Sequence, residues 1–249
     1  MSEKQTIVKE ACSTLGLSYT RENLEGLLQE AEDQGLSYLE FLFRVTNGEQ
    51  QARIARATEK RTKEAGFPYL KSLDDFDLDF CQAISRRQFN QLREYTWVDA
   101  LYNLIFAGPP GVGKTHLAIG LGCEACSKGY KVSYTTMQSL IKLMKTEEIN
   151  KRSRRKMQLI RASHLLIIDE VGYVKLSDND GNNFFQLISE IQEQASVLIT
   201  TNKGFEQWTE FLDDPALATA VLDRLTFHCD TIQMSGKSYR LENRKSFLD

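Results

Sequence analysis

The chain lacks the features that mark membrane and secreted proteins. No apolar run approaches the roughly 18 residues that a membrane-spanning helix requires. The first residues have neither the apolar core nor the small-residue cleavage site of a secretory signal. The 5 cysteines are odd in number and widely scattered, which argues against a disulfide framework. We therefore expect a cytoplasmic protein with no membrane partner.

Metal-binding patterns and an excess of positive charge are lacking as well. Cys123 and Cys126 form a Cys-x-x-Cys pair, but no second Cys pair or His pair follows at metal-ligand spacing. Both lie inside a predicted helix, so we interpret them as small buried residues. The 31 Lys and Arg residues are balanced by 34 Asp and Glu, for a net charge of −3. The overall charge therefore gives no indication of nucleic-acid binding.

What is present is the composition of an ordinary globular protein. The chain has 249 residues, of which 41% are hydrophobic and 26% charged. This length can hold one large α/β domain and a smaller one. We predict a small all-helical N-terminal domain over residues 1–65, a linker over 66–84 and an α/β domain over 85–249.

Local signals set the predicted elements. Thr20 is a candidate helix cap, Asn47-Gly48 is expected to interrupt the helical pattern, and Gly66-Phe67-Pro68 is expected to end it. From about residue 85, strands and helices alternate, which predicts a parallel five-stranded sheet covered by helices on both faces. The predicted strands lie near residues 103–107, 131–136, 164–169, 196–201 and 229–234. The predicted helices lie near 85–95, 114–127, 137–145, 154–162, 180–194 and 206–223.

The first predicted strand leads into a complete Gly-x-x-x-x-Gly-Lys-Thr motif at residues 108–115. This strand–loop–helix context is the one in which backbone N–H groups surround the phosphates of a nucleoside triphosphate. Lys114 is expected to reach the β and γ phosphates, and Thr115 to ligate Mg²⁺. The predicted nucleotide-binding residues are Gly108, Pro109, Pro110, Gly111, Val112, Gly113, Lys114, Thr115 and His116. The motif predicts a nucleoside triphosphatase with ATP and Mg²⁺ as cofactors.

Two acidic residues end the apolar run Leu165-Leu166-Ile167-Ile168. The run is typical of a buried parallel strand, and ligands of such sheets collect at the carboxyl ends of the strands. We expect Asp169 to hold Mg²⁺ and Glu170 to orient the attacking water. Another buried strand ends at Asn202, which either hydrogen-bonds the water or the γ-phosphate, or caps the following helix. The strand context favours the catalytic role for Asn202.

Basic residues cluster in two places despite the negative net charge. The first cluster, which has no acidic residue within it, contains Lys151, Arg152, Arg154, Arg155 and Lys156. The second cluster is diluted by Glu59 and Glu64, and its candidate DNA-binding residues are Arg53, Arg56 and Lys60. Like charges at this density repel one another unless an anion neutralises them, and DNA phosphates would do so. A solvated helix face is the alternative for either cluster.

Residues 50 to 242 resemble the IstB-like transposition helper ATPases of bacterial insertion sequences. These proteins are relatives of the DnaC-type helicase loaders within the AAA+ superfamily. The motifs that carry the resemblance are GPPGVGKTHLAIGLG, LLIIDEVGY, FFQLIS, TTNKGFEQW, DDPALATAVLDRL and GKSYRL. One departure is Ile191-Gln192, which stands where relatives carry Arg-Tyr.

The resemblance implies further roles. Asn202 matches the family's sensor-1 residue, Arg224 its arginine finger, which acts on a neighbouring subunit, and Arg240 a sensor-2-like arginine. An ion pair with Asp223 or Asp230 is the alternative for Arg224. The implied fold is a P-loop AAA+ domain. The implied activity is ATP-dependent assembly of a homo-oligomer on duplex DNA, with ATP sites between subunits, which helps a partner transposase in DNA transposition.

Three alternatives to this function stay open. A DnaC-like helicase loader would prefer single-stranded DNA. A small-molecule P-loop kinase would need an acceptor pocket and an arginine-rich lid, which residues 152–155 mimic, although Asn202 and the Asp169-Glu170 pair argue against it. An ATP-gated DNA-binding module would bind ATP without turning it over.

Overall fold

The computed structural model describes residues 3–212 and 214–244, except for the side chain of Asp178. The described residues form two compact units that divide after Lys60. None of the helices in these ranges is long and apolar enough to cross a membrane. The predicted linker and the predicted domain boundary at residue 65 stay predictions.

The first unit is built from α1 (Glu3–Thr14), α2 (Ser18–Asp33) and most of α3 (Tyr38–Ala65). Contrary to our prediction, α3 runs through Asn47-Gly48 without a break. A Cβ atom on Gly48 would lie 2.2 Å from the ring of Tyr19. The glycine therefore permits close contact with α2, at the modest cost of a glycine within a helix. The predicted end of the helix is confirmed, since Gly66 follows Ala65 with a φ of 80°.

The start of α2 is fixed by a residue far away in the sequence. Thr20 is not the cap, because the helix begins at Ser18 and Thr20 lies inside its first turn. The backbone N–H of Thr20 instead donates to the carboxylate of Glu49, 3.1 Å away on α3. Burial acts to raise the pKa of Glu49, but hydrogen bonds from Thr20, Arg53 and Tyr19 outweigh it and lower the pKa overall. Glu49 thus supplies the anion that a helix N-terminus favours.

The second unit is a parallel sheet between two layers of helices. Its strands are β1 (Asn103–Ala107), β2 (Val132–Thr136), β3 (Leu165–Val171), β4 (Ser196–Thr201) and β5 (Cys229–Gln233). They lie in the order β2-β3-β4-β1-β5, and all neighbours run parallel. The helices are α4 (Arg86–Glu94), α5 (Thr96–Asp99), α6 (Lys114–Ser127), α7 (Met137–Thr146), α8 (Lys151–Arg161), α9 (Asp178–Ile191), α10 (Trp208–Leu212), α11 (Pro215–Thr226) and α12 (Tyr239–Glu242). A short 3₁₀ turn, Phe205–Gln207, precedes α10.

Alternate residues of the strands serve two hydrophobic cores, one on each face of the sheet. Leu104 and Phe106 of β1 belong to the core that includes residues of α4 and α6. Ile105 belongs to the core that includes residues of α7, α8, α9 and α11. Every strand except β5 is almost fully buried, which is typical of a parallel sheet covered by helices on both faces. The segment 66–84 contributes Leu73 and Phe76 to the first of these cores.

Candidate active site

The loop between β1 and α6 carries the predicted phosphate-binding motif. Gly108 and Gly111 have φ values of 153° and 86°, which side chains rarely adopt. A Cβ atom would lie 1.9 Å from the backbone oxygen of Met234 at the first position, and 2.1 Å from Ser238 Oγ at the second. The N–H of Tyr239 donates to the carbonyl of Gly111 at 2.9 Å. The C-terminal segment therefore packs directly on the loop, and only glycine fits at these contacts.

Lys114 occupies the loop that it is predicted to serve. Its Nζ atom is 2.7 Å from the carbonyl oxygens of both Gly108 and Pro109. Burial lowers the pKa of Lys114, nearby Asp169 opposes this effect, and the positive charge of Arg240 adds to it. A buried ammonium held only by neutral carbonyls is poorly neutralised, which favours the arrival of an anion.

Asp169, at the carboxyl end of β3, is held by three hydroxyl groups. Thr115 Oγ1 lies 3.0 Å and Tyr134 OH 2.7 Å from its carboxylate, and Thr200 Oγ1 also donates to it. Thr115 and Asp169, both predicted metal ligands, are thus adjacent. Oxygen ligands of this kind suit Mg²⁺, which takes its remaining ligands from phosphates and water. Among the described residues there is no cluster of three or more His, Cys, Asp or Glu side chains that could hold a metal by itself.

Glu170 follows directly and points elsewhere. The pairing of β3 with β4 shifts register between Ile168 and Val171, and Glu170 has a φ of 61° within this irregularity. Its backbone N–H donates to Thr200 Oγ1 at 3.1 Å, and its side chain is exposed. The bulge therefore turns one carboxylate into the sheet and the next out of it. This arrangement can divide metal binding and water orientation between Asp169 and Glu170.

The other predicted residues of this edge are close by but less tightly held. Asn202 is exposed immediately after β4, the strand that lies between β3 and β1. Arg240 lies on α12, next to Tyr239, which contacts the phosphate loop. His116 packs edge-on against Phe76, with ring centroids 5.4 Å apart, and its Nε2 atom is 3.4 Å from the carbonyl oxygen of Ser72. His116 thus contacts the segment that precedes the sheet.

Arg224 lies at the opposite edge of the sheet. It is in the last turn of α11, which leads into the start of β5. It borders a cavity of about 550 Å³ whose lining includes Leu101, Asn103, Gln192, Phe227 and His228. The length of β1 separates the two edges by roughly 15 Å, which is farther than an arginine side chain spans. Arg224 is therefore far from the phosphate loop of its own chain.

The surroundings of Arg224 differ from the ion pair that was the alternative. Its guanidinium carbon lies 4.3 Å from the ring centroid of Phe185 on α9, and its Nη1 atom donates to the carbonyl of Ala220. Across residues 3–212 and 214–244 it forms no salt bridge with Asp223 or Asp230. Ile191, which replaces the family's arginine, is buried in the core next to β4, so the chain presents no charge at this position.

Most residues of the first basic cluster are exposed, as a DNA-binding surface requires, but one is not. Lys151, Arg152, Arg154 and Arg155 of α8 are exposed. Lys156 is not part of this surface, because its Nζ atom lies 2.8 Å from the carbonyl of Ala65 at the end of α3, and burial lowers its pKa. It satisfies the free carbonyls of a helix C-terminus.

In the second cluster, Arg53 and Arg56 both pair with Glu49, at 3.4 and 3.2 Å. These two arginines are thereby partly neutralised within the first unit. Lys60 remains exposed.

Three residues that contact the predicted site residues were not predicted from the sequence: Tyr134, Thr200 and Phe185. Thr200 lies two positions before Asn202, so its place near the end of a buried strand was a usable signal. Tyr134 and Phe185 act through contacts with residues distant in the sequence, and nothing in the local pattern points to them. Cys123 and Cys126 are free cysteines on α6. Cys126 is buried, as predicted, whereas Cys123 is only partly buried.

The strand order, the phosphate loop after β1 and the acidic pair near the carboxyl end of β3 define a P-loop domain of the AAA+ fold. The structure of DnaI superimposes with a TM-score of 0.54 at 18% identity, covering 68% of this chain and 90% of DnaI. The DnaC helicase loader gives a TM-score of 0.50 at 19% identity, covering 71% of this chain and 99% of the loader. These similarities confirm the predicted fold class.

Sequence comparison is more specific. The insertion sequence IS21 ATP-binding protein of Pseudomonas aeruginosa is 39% identical over 234 residues, which cover 94% of this chain and 88% of that protein. The IS5376 ATP-binding protein of Geobacillus stearothermophilus is 35% identical, over 96% of this chain and 95% of its own length. The family of IstB-like ATP binding proteins matches residues 11–246. The chain belongs to this family of insertion-sequence ATP-binding proteins, which confirms the resemblance.

Proposed function

We propose that this chain is a Mg²⁺-dependent ATPase that assembles on duplex DNA and helps a partner transposase to insert DNA. The observation that carries the proposal is the separation of Lys114 and Asp169 from Arg224 by the length of the sheet. One chain has a phosphate site at one edge and an arginine at the other. If the amino end of the sheet in one copy packs against the carboxyl end of the sheet in the next, each ATP site gains Arg224 from its neighbour.

The residues at the carboxyl ends of the strands, which we call the phosphate edge or carboxyl edge, have separable roles in hydrolysis. Lys114 exchanges the carbonyls of Gly108 and Pro109 for phosphate oxygens. Thr115 and Asp169 hold Mg²⁺, which when bound neutralises phosphate charge. Glu170, exposed beside them, orients the attacking water, and Asn202 contacts that water or the γ-phosphate. Arg224 of a neighbouring copy stabilises the charge that develops in the transition state.

The exposed residues of α8 are the best candidates for DNA contacts. Lys151, Arg152, Arg154 and Arg155 carry no acidic neighbour within the cluster. Asn150 caps this helix through the N–H groups of Arg152 and Ser153, so the cluster begins on an ordered turn. Contacts of lysine and arginine with phosphates fix position without reading sequence. The insertion-sequence context of the relatives supports a transposase as the partner.

The test combines Arg154→Ala with Arg155→Ala and measures binding to duplex DNA with ATP at several salt concentrations. We expect weaker binding on every sequence and a salt slope that is flatter by about 0.9 for each lost phosphate contact. The control pairs Arg86→Ala with Arg87→Ala, because these two arginines are also adjacent, exposed and close to the N-terminus of a helix.

Equal effects of the two double variants would show only a general loss of charge. Electron microscopy with duplex DNA, with and without ATP, tests assembly directly. Assembly that requires single-stranded DNA would instead favour a helicase loader.

A further inference from the structure

The contact between Arg224 and Phe185 joins two helices of the second unit. Phe185 lies on α9 and is partly buried against the core that also contains Val221 and Leu225 of α11. The guanidinium carbon of Arg224 sits over the ring face, 4.3 Å from its centroid. This distance is well within the range in which a ring attracts a cation. The arginine is therefore held in place by a neighbour on a different helix.

A ring holds an arginine differently from a carboxylate. A carboxylate neutralises the guanidinium and occupies its N–H groups in a bidentate pair. A ring attracts the cation through its face, while the N–H donors point outward in the guanidinium plane. Of these donors, Nη1 is engaged with the carbonyl of Ala220, a neutral partner in the same helix. Within the described part of the chain, Arg224 is thus oriented by neutral contacts, with no carboxylate in an ion pair to compete with a phosphate for its guanidinium.

We propose that Phe185 is a positioning residue that holds Arg224 ready for the ATP site of a neighbouring copy. The inference rests on the proposed role of Arg224 between subunits. Phe185 is the second phenylalanine of the FFQLIS motif. Neither this motif nor the partial burial of Phe185 indicates a role in positioning an arginine. Phe184, its neighbour, is fully buried in the core, whereas Phe185 is only partly buried and contacts Arg224.

The test compares Phe185→Leu with Phe185→Tyr in DNA-stimulated ATP hydrolysis. Leucine keeps apolar packing but removes the ring face, whereas tyrosine keeps the ring. We expect Phe185→Leu to lower kcat by about two- to fivefold with KM for ATP unchanged, and Phe185→Tyr to restore kcat. Phe205→Leu is the control for loss of a ring from the same core, because Phe205 is also partly buried there and contacts Trp208 edge-on.

A mixing experiment separates positioning from a general effect on folding. Phe185→Leu subunits are combined with an excess of Glu170→Gln subunits, which keep ATP and an intact Phe185–Arg224 pair but turn over little. The sites that can turn over ATP, called working sites here, are then those of the Phe185→Leu subunits, which retain Glu170. Most of them have a Glu170→Gln neighbour that supplies an intact Phe185–Arg224 pair. We expect turnover per working site to match that of a parallel mixture of wild-type and Glu170→Gln subunits. Turnover that stays depressed in the mixture would overturn the proposal, as would a wild-type kcat for Phe185→Leu alone.

The same design distinguishes this inference from the function on which it rests. Arg224→Ala subunits are mixed with Glu170→Gln subunits under identical conditions. Rescue of Arg224→Ala without rescue of Phe185→Leu would refute only the role of Phe185. Failure to rescue Arg224→Ala, with mixed oligomers verified by crosslinking, would refute the intersubunit site itself.

Discussion

The two edges of the sheet treat their charged residues in opposite ways. At the carboxyl edge, polar groups satisfy one another: Lys114 is bonded to loop carbonyls, and Asp169 accepts from Thr115, Tyr134 and Thr200. At the amino edge, Arg224 keeps its charge over an aromatic ring beside an open cavity. A group of mutually bonded side chains thus lies at one end of the sheet, and an arginine without a carboxylate partner among the described residues lies at the other. This difference is the one that the proposed intersubunit ATP site requires.

Lys114→Ala should have the largest effect, because it removes the only buried ammonium of the phosphate edge in the described part of the chain. We expect loss of measurable ATP binding by calorimetric titration, and therefore loss of ATP-dependent assembly on DNA. Lys128→Ala, on the far end of the same helix, is the control for removing a lysine. Unchanged ATP affinity in Lys114→Ala would contradict the assignment of Lys114 and its loop to phosphate binding.

Arg224→Ala tests the opposite edge and should come next in size. An arginine finger is worth about 10³-fold or more in kcat. We expect kcat to fall by that order while ATP affinity of the isolated subunit, measured by titration, stays at the wild-type level. A parallel loss of ATP affinity in the monomer would mean that Arg224 serves its own chain, which contradicts the separation of the two edges.

Glu170→Gln sharpens the comparison within the carboxyl edge. The substitution keeps the size of the side chain and leaves Asp169 in place, so ground-state binding should survive. We expect turnover to fall by about a hundredfold, in the range typical for loss of a group that acts on a proton of the nucleophile. The ATP-bound protein should accumulate on DNA in a sedimentation assay. Wild-type turnover would assign the orientation of water to another residue.

Tyr134→Phe should have the smallest effect of the four. It removes one hydroxyl from Asp169 and leaves the ring, which packs at 6.0 Å from that of Phe67. Outer hydrogen bonds of this kind typically contribute about 10- to 100-fold to metal affinity. We expect a higher Mg²⁺ concentration for half-maximal turnover, and the same upward shift in the Mg²⁺ concentration that supports half-maximal nucleotide binding in the absence of turnover. An unchanged Mg²⁺ requirement would show that Thr115 and Thr200 suffice to hold Asp169.

The fold and the phosphate edge were predictable because their signals are local. The glycine loop, the strand that precedes it and the carboxylates that end β3 are each contained in a few consecutive residues. Parallel topology then brings the strand ends together. The predicted strands and the five-stranded sheet are confirmed on this basis.

What local patterns missed depends on partners far away in the sequence. Thr20 was expected to cap a helix, but Glu49 from another helix serves its first turn. Gly48 was expected to break α3, but it makes room for Tyr19. Lys156 was expected to face DNA, but its ammonium binds the end of α3. In each case a tertiary contact decides the role of a residue whose local sequence suggests another.

The left-handed backbone of Glu170 sets the proposed role of this residue against stability. A φ of 61° costs a side chain with a Cβ atom about 1 kcal/mol, whereas glycine adopts it freely. Stability alone would therefore favour glycine at this position, whereas the proposed role in orienting water requires a carboxylate there. Glu170→Gly should retain or raise the temperature of thermal unfolding, while ATP turnover falls at least as far as it does in Glu170→Gln. The proposed role of Glu170 in orienting water thus sets activity against stability at this one position, as is common where backbone strain lies at a functional site.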